Sequence, residues 1–121
     1  MNYQQTETLL PCERLDAYHL AVEFHRNIVP LAKARGLASL RDQLLRAAES
    51  VVLNIAEGAG RTSRDDKRRI YEIALGSIVE CGAVLDLLRN RLSLSEMDYR
   101  RIRALAIRNY QILSRLAAPP R

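Results

Sequence analysis

Apolar residues along this chain recur at intervals of three and four, the spacing of a helix that buries one face. The first such line is Ala17, Leu20, Ala21, Phe24, Ile28 and Leu31, and it predicts a helix over about residues 12–35. Pro11 suits an opening turn, and Gly36 stops the segment. Pro30 falls inside the pattern, where it removes a donor and crowds the carbonyl of Arg26, so a kink or an early end is expected there.

A second helix is expected over about residues 40–57, with Ser39 as its cap, ahead of Asp42 and Gln43. Gly58 is placed to take the left-handed conformation after the last turn. Its apolar residues, among them Leu44, Leu45, Val51, Val52, Leu53 and Ile55, surround most of the circumference. A four-helix bundle covers each helix on only about half of its surface, so part of the cover is expected from another subunit.

Ser63, with Asp65 and Asp66 in the following turn, opens a third helix over about residues 63–90. Its expected buried line is Ile70, Ile73, Ala74, Ser77, Cys81, Leu85 and Leu88. Gly76, Ser77 and Gly82 weaken an isolated helix but let a neighbour approach closely. Ser93 and Glu96 read as a capping box for a fourth helix over about 94–117, whose inward stripe is Ile102, Leu105, Ala106, Ile112, Leu113 and Leu116. Asn109 lies within that stripe, where a polar residue fixes register at some expense of stability, and Pro119 and Pro120 end the helix. Short connections make sequential helices neighbours, so the expected fold is an all-α, antiparallel up-and-down four-helix bundle, one domain over residues 1–121.

Composition agrees. The chain is 48% apolar but only 5% aromatic, with no Trp, so its core must be built from Leu, Ile, Val and Ala. Cys12 and Cys81 stand far apart and form neither a disulfide framework nor a zinc motif. Arg46, Glu49, Asn54 and Glu57 interrupt the longest apolar runs, and Met1 to Leu15 has no signal-peptide pattern, so the expectation is a cytoplasmic protein with no membrane partner. No nucleotide loop, zinc-protease motif or nucleophile elbow is present, which points to a binding protein without cofactor or metal rather than an enzyme.

Charge sharpens that expectation. Residues 1–60 carry 6 basic and 7 acidic side chains, whereas residues 61–121 carry 13 and 7. Of the 19 basic residues 17 are Arg, whose planar fork matches pairs of phosphate oxygens. Arg101, Arg108 and Arg115 are seven apart and share a helix face, which Arg100 and Arg103 widen at one end. Arg61, Arg64, Lys67, Arg68 and Arg69 form a second cluster at the start of the third helix. Phosphate contact is one reading of these groups and a solvated helix surface the other. Phe24, Tyr3, Tyr18, Tyr71, Tyr99 and Tyr110 form no clustered stacking motif, so any recognition would be of backbone and shape.

The run Gln43-Leu44-x-Arg46-Ala47-Ala48-x-Ser50, then Asn54-Ile55-Ala56-Glu57-Gly58, then Ala74-x-Gly76-Ser77-x-x-Glu80, resembles the bacterial four-helix bundle family often encoded inside large-subunit rRNA intervening sequences. The accessory variability determinant proteins of diversity-generating retroelements are similar to that family. The resemblance implies an antiparallel four-helix bundle that assembles as a homopentamer. In the retroelement branch it further implies a basic ring that binds RNA and a reverse transcriptase. Asn54, Glu57, Gly58, Gly76, Ser77 and Glu80 carry the signature, and a shared polar network at a helix junction or subunit contact is the expected role of its polar members. The short path from Pro30 to Gly36 departs from the family pattern and bears on how the first two helices join.

Two rival functions remain at this stage. One is a structural or adaptor protein whose partner is another protein. The other is a ribonuclease: Arg14-x-x-x-x-His19 has the Arg-to-His spacing of HEPN ribonucleases, although that motif usually lies late in their chains and here it opens the first helix.

Overall fold

The computed structural model describes residues 8–119, so Tyr3 and Pro120 fall outside it. A 3-10 turn, Pro11–Arg14, leads into helices α1 (Asp16–Lys33), α2 (Ala38–Ala59), α3 (Arg64–Asn90) and α4 (Glu96–Ala117). α1 packs on α2, α2 on α3, α3 on α4 and α4 back on α1, which closes the expected antiparallel four-helix bundle. Phe24, Ile28, Leu44, Val51, Leu85, Leu88, Ile102 and Leu113 fill its centre.

Local chemistry explains where the helix limits differ from expectation. The first segment is divided, because Leu15 is extended and separates the 3-10 turn from α1. Pro30 does not end α1, which continues to Lys33. The ring stands on the exposed side, where water can take the carbonyl it leaves free, and buried Leu31 anchors the last turn. Gly36 (φ +86°) and Leu37 (φ +52°) then adopt left-handed backbone in succession and reverse the chain.

Ser39 is not the cap of α2. Leu37 occupies that position with no side-chain hydrogen bond, and Ser39 is already helical. The capping box at Ser93 and Glu96 is likewise displaced: Ser95 caps α4 by accepting from the Asp98 N–H at 3.1 Å. Ser93 instead closes α3, its N–H bonded to the Leu88 carbonyl at 2.9 Å. The cap expected at Ser63 is present, its hydroxyl accepting from the Asp66 N–H at 3.1 Å.

Gly58 is helical and does not take a left-handed conformation, since α2 runs on to Ala59 with Gly60 as the closing residue. Its lack of a side chain serves packing. A Cβ there would stand 2.7 Å from Cε1 of Tyr71, a ring buried between α3 and its neighbours. Gly58→Ala is therefore expected to destabilise the protein by about 1 kcal/mol. Tyr71→Leu in the same chain should make that alanine nearly neutral, as denaturant titration of both single variants and the double variant would show.

The core lines also shift. Ile73 is 47% exposed, whereas Tyr71, Ile78 and Val84 are buried alongside Ile70, Ala74, Cys81, Leu85 and Leu88. α2 is largely covered by its own chain, with Leu45 and Val52 half-buried against the core and Leu53 left 66% exposed. The surplus apolar surface expected on α2 alone is thus spread over several helices, including Val79 on α3 and Ile107 and Tyr110 on α4. Gly76 and Gly82 receive no close neighbour among the described residues, since an added Cβ at either would meet none of their atoms within 4 Å.

Candidate nucleic-acid interface

Antiparallel packing brings the 3-10 turn, the end of α2, the start of α3 and the end of α4 to one end of the bundle. Arg14, Arg61, Arg64, Lys67, Arg68, Arg69 and Arg115 all belong to that end. Two adjoining depressions open there beside Tyr71. One, of about 420 Å³, is bordered by Arg64, Asp65, Arg68 and Leu116, and the other, of about 340 Å³, by Arg14, Leu15 and Ala59, with Lys67 between them. Arg14 lay outside the expected cation set. The signal that could have found it is topological, because an antiparallel bundle sets the turn before α1 beside the loop after α2.

Not every cation there is free. Lys67 donates to the Ala59 carbonyl at 2.8 Å and so closes the C-terminus of α2, where a positive charge opposes the helix dipole. Arg61 pairs with Glu57 at 2.6 Å and Arg68 with Glu72 at 3.5 Å. Among the described residues, Arg64, Arg69 and Arg115 have no carboxylate within ion-pair distance.

The second expected cluster lies elsewhere. Arg101, Arg108 and Arg115 are exposed and run the length of α4, a span of roughly 20 Å at 1.5 Å per residue. They lie along the edge that α4 shares with α1, as the Arg101 bond to Asn27 Oδ1 at 2.7 Å shows. Arg101 also pairs with Asp98 at 3.3 Å, and Arg100 with Glu96 at 3.3 Å. Arg103 points to the other side of α4, into a groove shared with α3. The nine expected arginines therefore form no single patch: they divide into a basic end, a longitudinal edge that meets it at Arg115, and Arg100 with Arg103, which border a depression on the α3 side of α4 beside Arg89 and Glu96.

The family-signature residues are only partly joined. Ser50 and Ser77 hydroxyls lie 2.8 Å apart across α2 and α3, and Asn54 Nδ2 donates to the Ser50 Oγ at 3.0 Å and to its carbonyl at 2.8 Å. Glu57 turns away to Arg61, and Glu80 has no hydrogen-bond or ion-pair partner among the described residues. Ser50, which sequence reasoning left out of the site set, is the hinge of this contact.

Of the Arg14 and His19 pair, His19 is engaged locally. His19 Nε2 lies 2.8 Å from the Glu13 carbonyl, which can only accept, so that nitrogen carries the proton and ties the start of α1 to the preceding turn. Cys81 is fully buried, and burial next to Glu80 pushes its thiol up to about 12, which keeps it protonated and unreactive. No helix among the described residues is long and apolar enough to cross a membrane.

The model of a family described as 23S rRNA-intervening sequence protein matches residues 13–115. Among solved structures, the chain is similar to a protein of unknown function from the S23 ribosomal protein family of Bacteroides thetaiotaomicron, with a TM-score of 0.79 and 24% identity over 85% of this chain and 99% of that one. At that identity the likeness carries the fold alone. No curated protein matches.

Proposed function

The chain belongs to the 23S rRNA-intervening sequence protein family, and from that premise we propose that it is a non-enzymatic, homo-oligomeric, cytoplasmic bundle that holds RNA or a ribonucleoprotein on its basic edge and end. The observation that carries this reading is the exposed line Arg101, Arg108 and Arg115, which leads into the cations around Arg64. A row of guanidinium groups along a rigid helix suits an extended phosphate backbone, because each contact displaces condensed counterions without reading a base. Stacking readout has little support among the described residues: Phe24, Tyr71 and Tyr99 are buried, and Tyr110 is half-exposed on the groove side of α4. A pentameric ring, and a reverse transcriptase as the ribonucleoprotein component, are what the likeness to retroelement accessory proteins adds to the proposal.

The test changes Arg101, Arg108 and Arg115 together to Glu. Retention of a structured RNA should fall by at least about 100-fold, and the salt dependence should flatten by about 2 units of log-log slope, with helical content unchanged. Undiminished retention would remove the α4 edge from the reading.

A protein partner is the second reading, favoured by the apolar residues that stand exposed on α3 and α4. It expects protein but no nucleic acid to remain bound at physiological salt. Ribonuclease action by Arg14 and His19 would fall to Nδ1 of His19, because Nε2 is held by the Glu13 carbonyl. Cleavage of RNA by the wild-type protein, lost in His19→Ala, is the result that reading needs.

A further inference from the structure

Two apolar grooves lie on opposite sides of the bundle. The first, about 370 Å³ between α1 and α2, is lined by Val22, His25, Glu49, Val52 and the protruding Leu53. The second, about 360 Å³ between α3 and α4, is lined among others by Val79, Gly82, Ala83, Arg103, Ile107 and Tyr110. Because α1 and α2 are consecutive and α3 and α4 are consecutive around the bundle, the two grooves face away from each other.

Their details are complementary. The α1/α2 groove holds a single carboxylate, Glu49, whose partner is His25 at 3.4 Å. The α3/α4 groove holds Arg103, which has no carboxylate within ion-pair distance among the described residues, while its Asp86 already accepts the Tyr99 hydroxyl at 2.6 Å. A Cβ built on Gly82 would meet nothing within 4 Å among the described residues, so the glycine in this groove leaves space that they do not use. Glycine within a helix is unfavourable, and close approach by a neighbouring body is a standard compensation.

We infer that copies of this chain join head to tail, with Leu53 on the α1/α2 face of one copy seated in the α3/α4 groove of the next and Glu49 meeting Arg103. The inference rests on the homo-oligomeric reading above and names its interface. A foreign partner would need only one such face, whereas a second copy explains why one chain carries both a projecting apolar residue with a carboxylate and an apolar groove with a free guanidinium. Since the two faces differ, the contact is heterologous and repeats from copy to copy until it closes on itself.

Cysteine pairing tests the geometry, because Cys12 and Cys81 are both buried and the wild-type chain serves as the blank. Leu53→Cys and Ile107→Cys are prepared separately and mixed with a short bis-maleimide. The expected result is a cross-linked dimer in the mixture, none in either variant alone, and closed or laddered multimers from a chain carrying both changes. Light scattering of nuclease-treated protein tests the charges. Arg103→Glu should drop the mass toward the 13.7 kDa of one chain, and adding Glu49→Arg to it should restore the assembly. A wild-type monomer at all concentrations would overturn both the homo-oligomer and this interface. An oligomer in which Leu53→Cys cross-links to itself, or which Arg103→Glu leaves intact, would overturn the interface alone. Neither readout involves RNA, so neither depends on the nucleic-acid reading.

Discussion

Arg41→Met is expected to lower the stability of the bundle by about 3–5 kcal/mol, a large share of what a domain of this size possesses. Arg41 is 3% exposed and has no carboxylate partner among the described residues. Its guanidinium donates to three carbonyls: Nε to Gly36 at 2.6 Å, Nη1 to Leu31 at 2.7 Å and Nη2 to Ser93 at 3.0 Å. Leu31 belongs to the last turn of α1 and Ser93 to the turn after α3, so one side chain caps the negative end of α1 and fastens the two loops together. Methionine keeps the stem in the core but leaves all three oxygens without their donor. The melting temperature should fall by roughly 15–25 °C, measured by circular dichroism. Arg41→Lys should recover little, because one ammonium cannot span three carbonyls in the guanidinium plane. A fall of less than about 5 °C in Arg41→Met would mean that water satisfies those oxygens and that the tie is dispensable.

The opposite sign is expected at Asn109. It is 2% exposed, its Nδ2 donates to the Leu105 carbonyl at 2.8 Å, and its Oδ1 is buried with no hydrogen-bond partner among the described residues. Leucine has similar bulk, leaves no polar atom unsatisfied and favours the helix, so Asn109→Leu should raise stability by about 1–3 kcal/mol. Urea titration checks the gain. The price of that gain is uniqueness: an Asn in a core line fixes the register of packed helices, and broadened amide resonances in the leucine variant would identify register as its role. Sharp resonances with higher stability would show that the orphaned oxygen serves no packing purpose.

Sequence periodicity located the four α-helices of the bundle because the apolar line of an amphipathic helix is a local property, set by neighbours three and four residues apart. The Ser63 cap was legible for the same reason, since Asp65 and Asp66 follow within one turn. The cap at Ser39 failed because the left-handed Gly36–Leu37 turn starts α2 ahead of it, and the cap at Ser93 failed where a distant group intervened. Ser93 is held by the Leu88 carbonyl on one side and by Arg41, 52 residues away, on the other. Gly58 carried a glycine signal whose cause, the Tyr71 ring, lies on another helix.

The candidate site follows the same division. That the second half of the chain is basic, and that Arg101, Arg108 and Arg115 share a face, could be read directly. That Arg14 joins the basic end, Lys67 is consumed in closing α2 and Arg103 turns into the α3/α4 groove could not.

Sequence by itself determined four amphipathic helices, their order and the Arg-rich character of the later ones, because each depends on residues within a turn or two of one another. Only the tertiary structure decided that a buried arginine would lock the loops, which arginines stay free of carboxylates, and that apolar surface would be left on two opposite faces. Those outcomes depend on which carbonyls, carboxylates and rings meet across helices, and contacts between residues far apart in the chain are written in no local pattern.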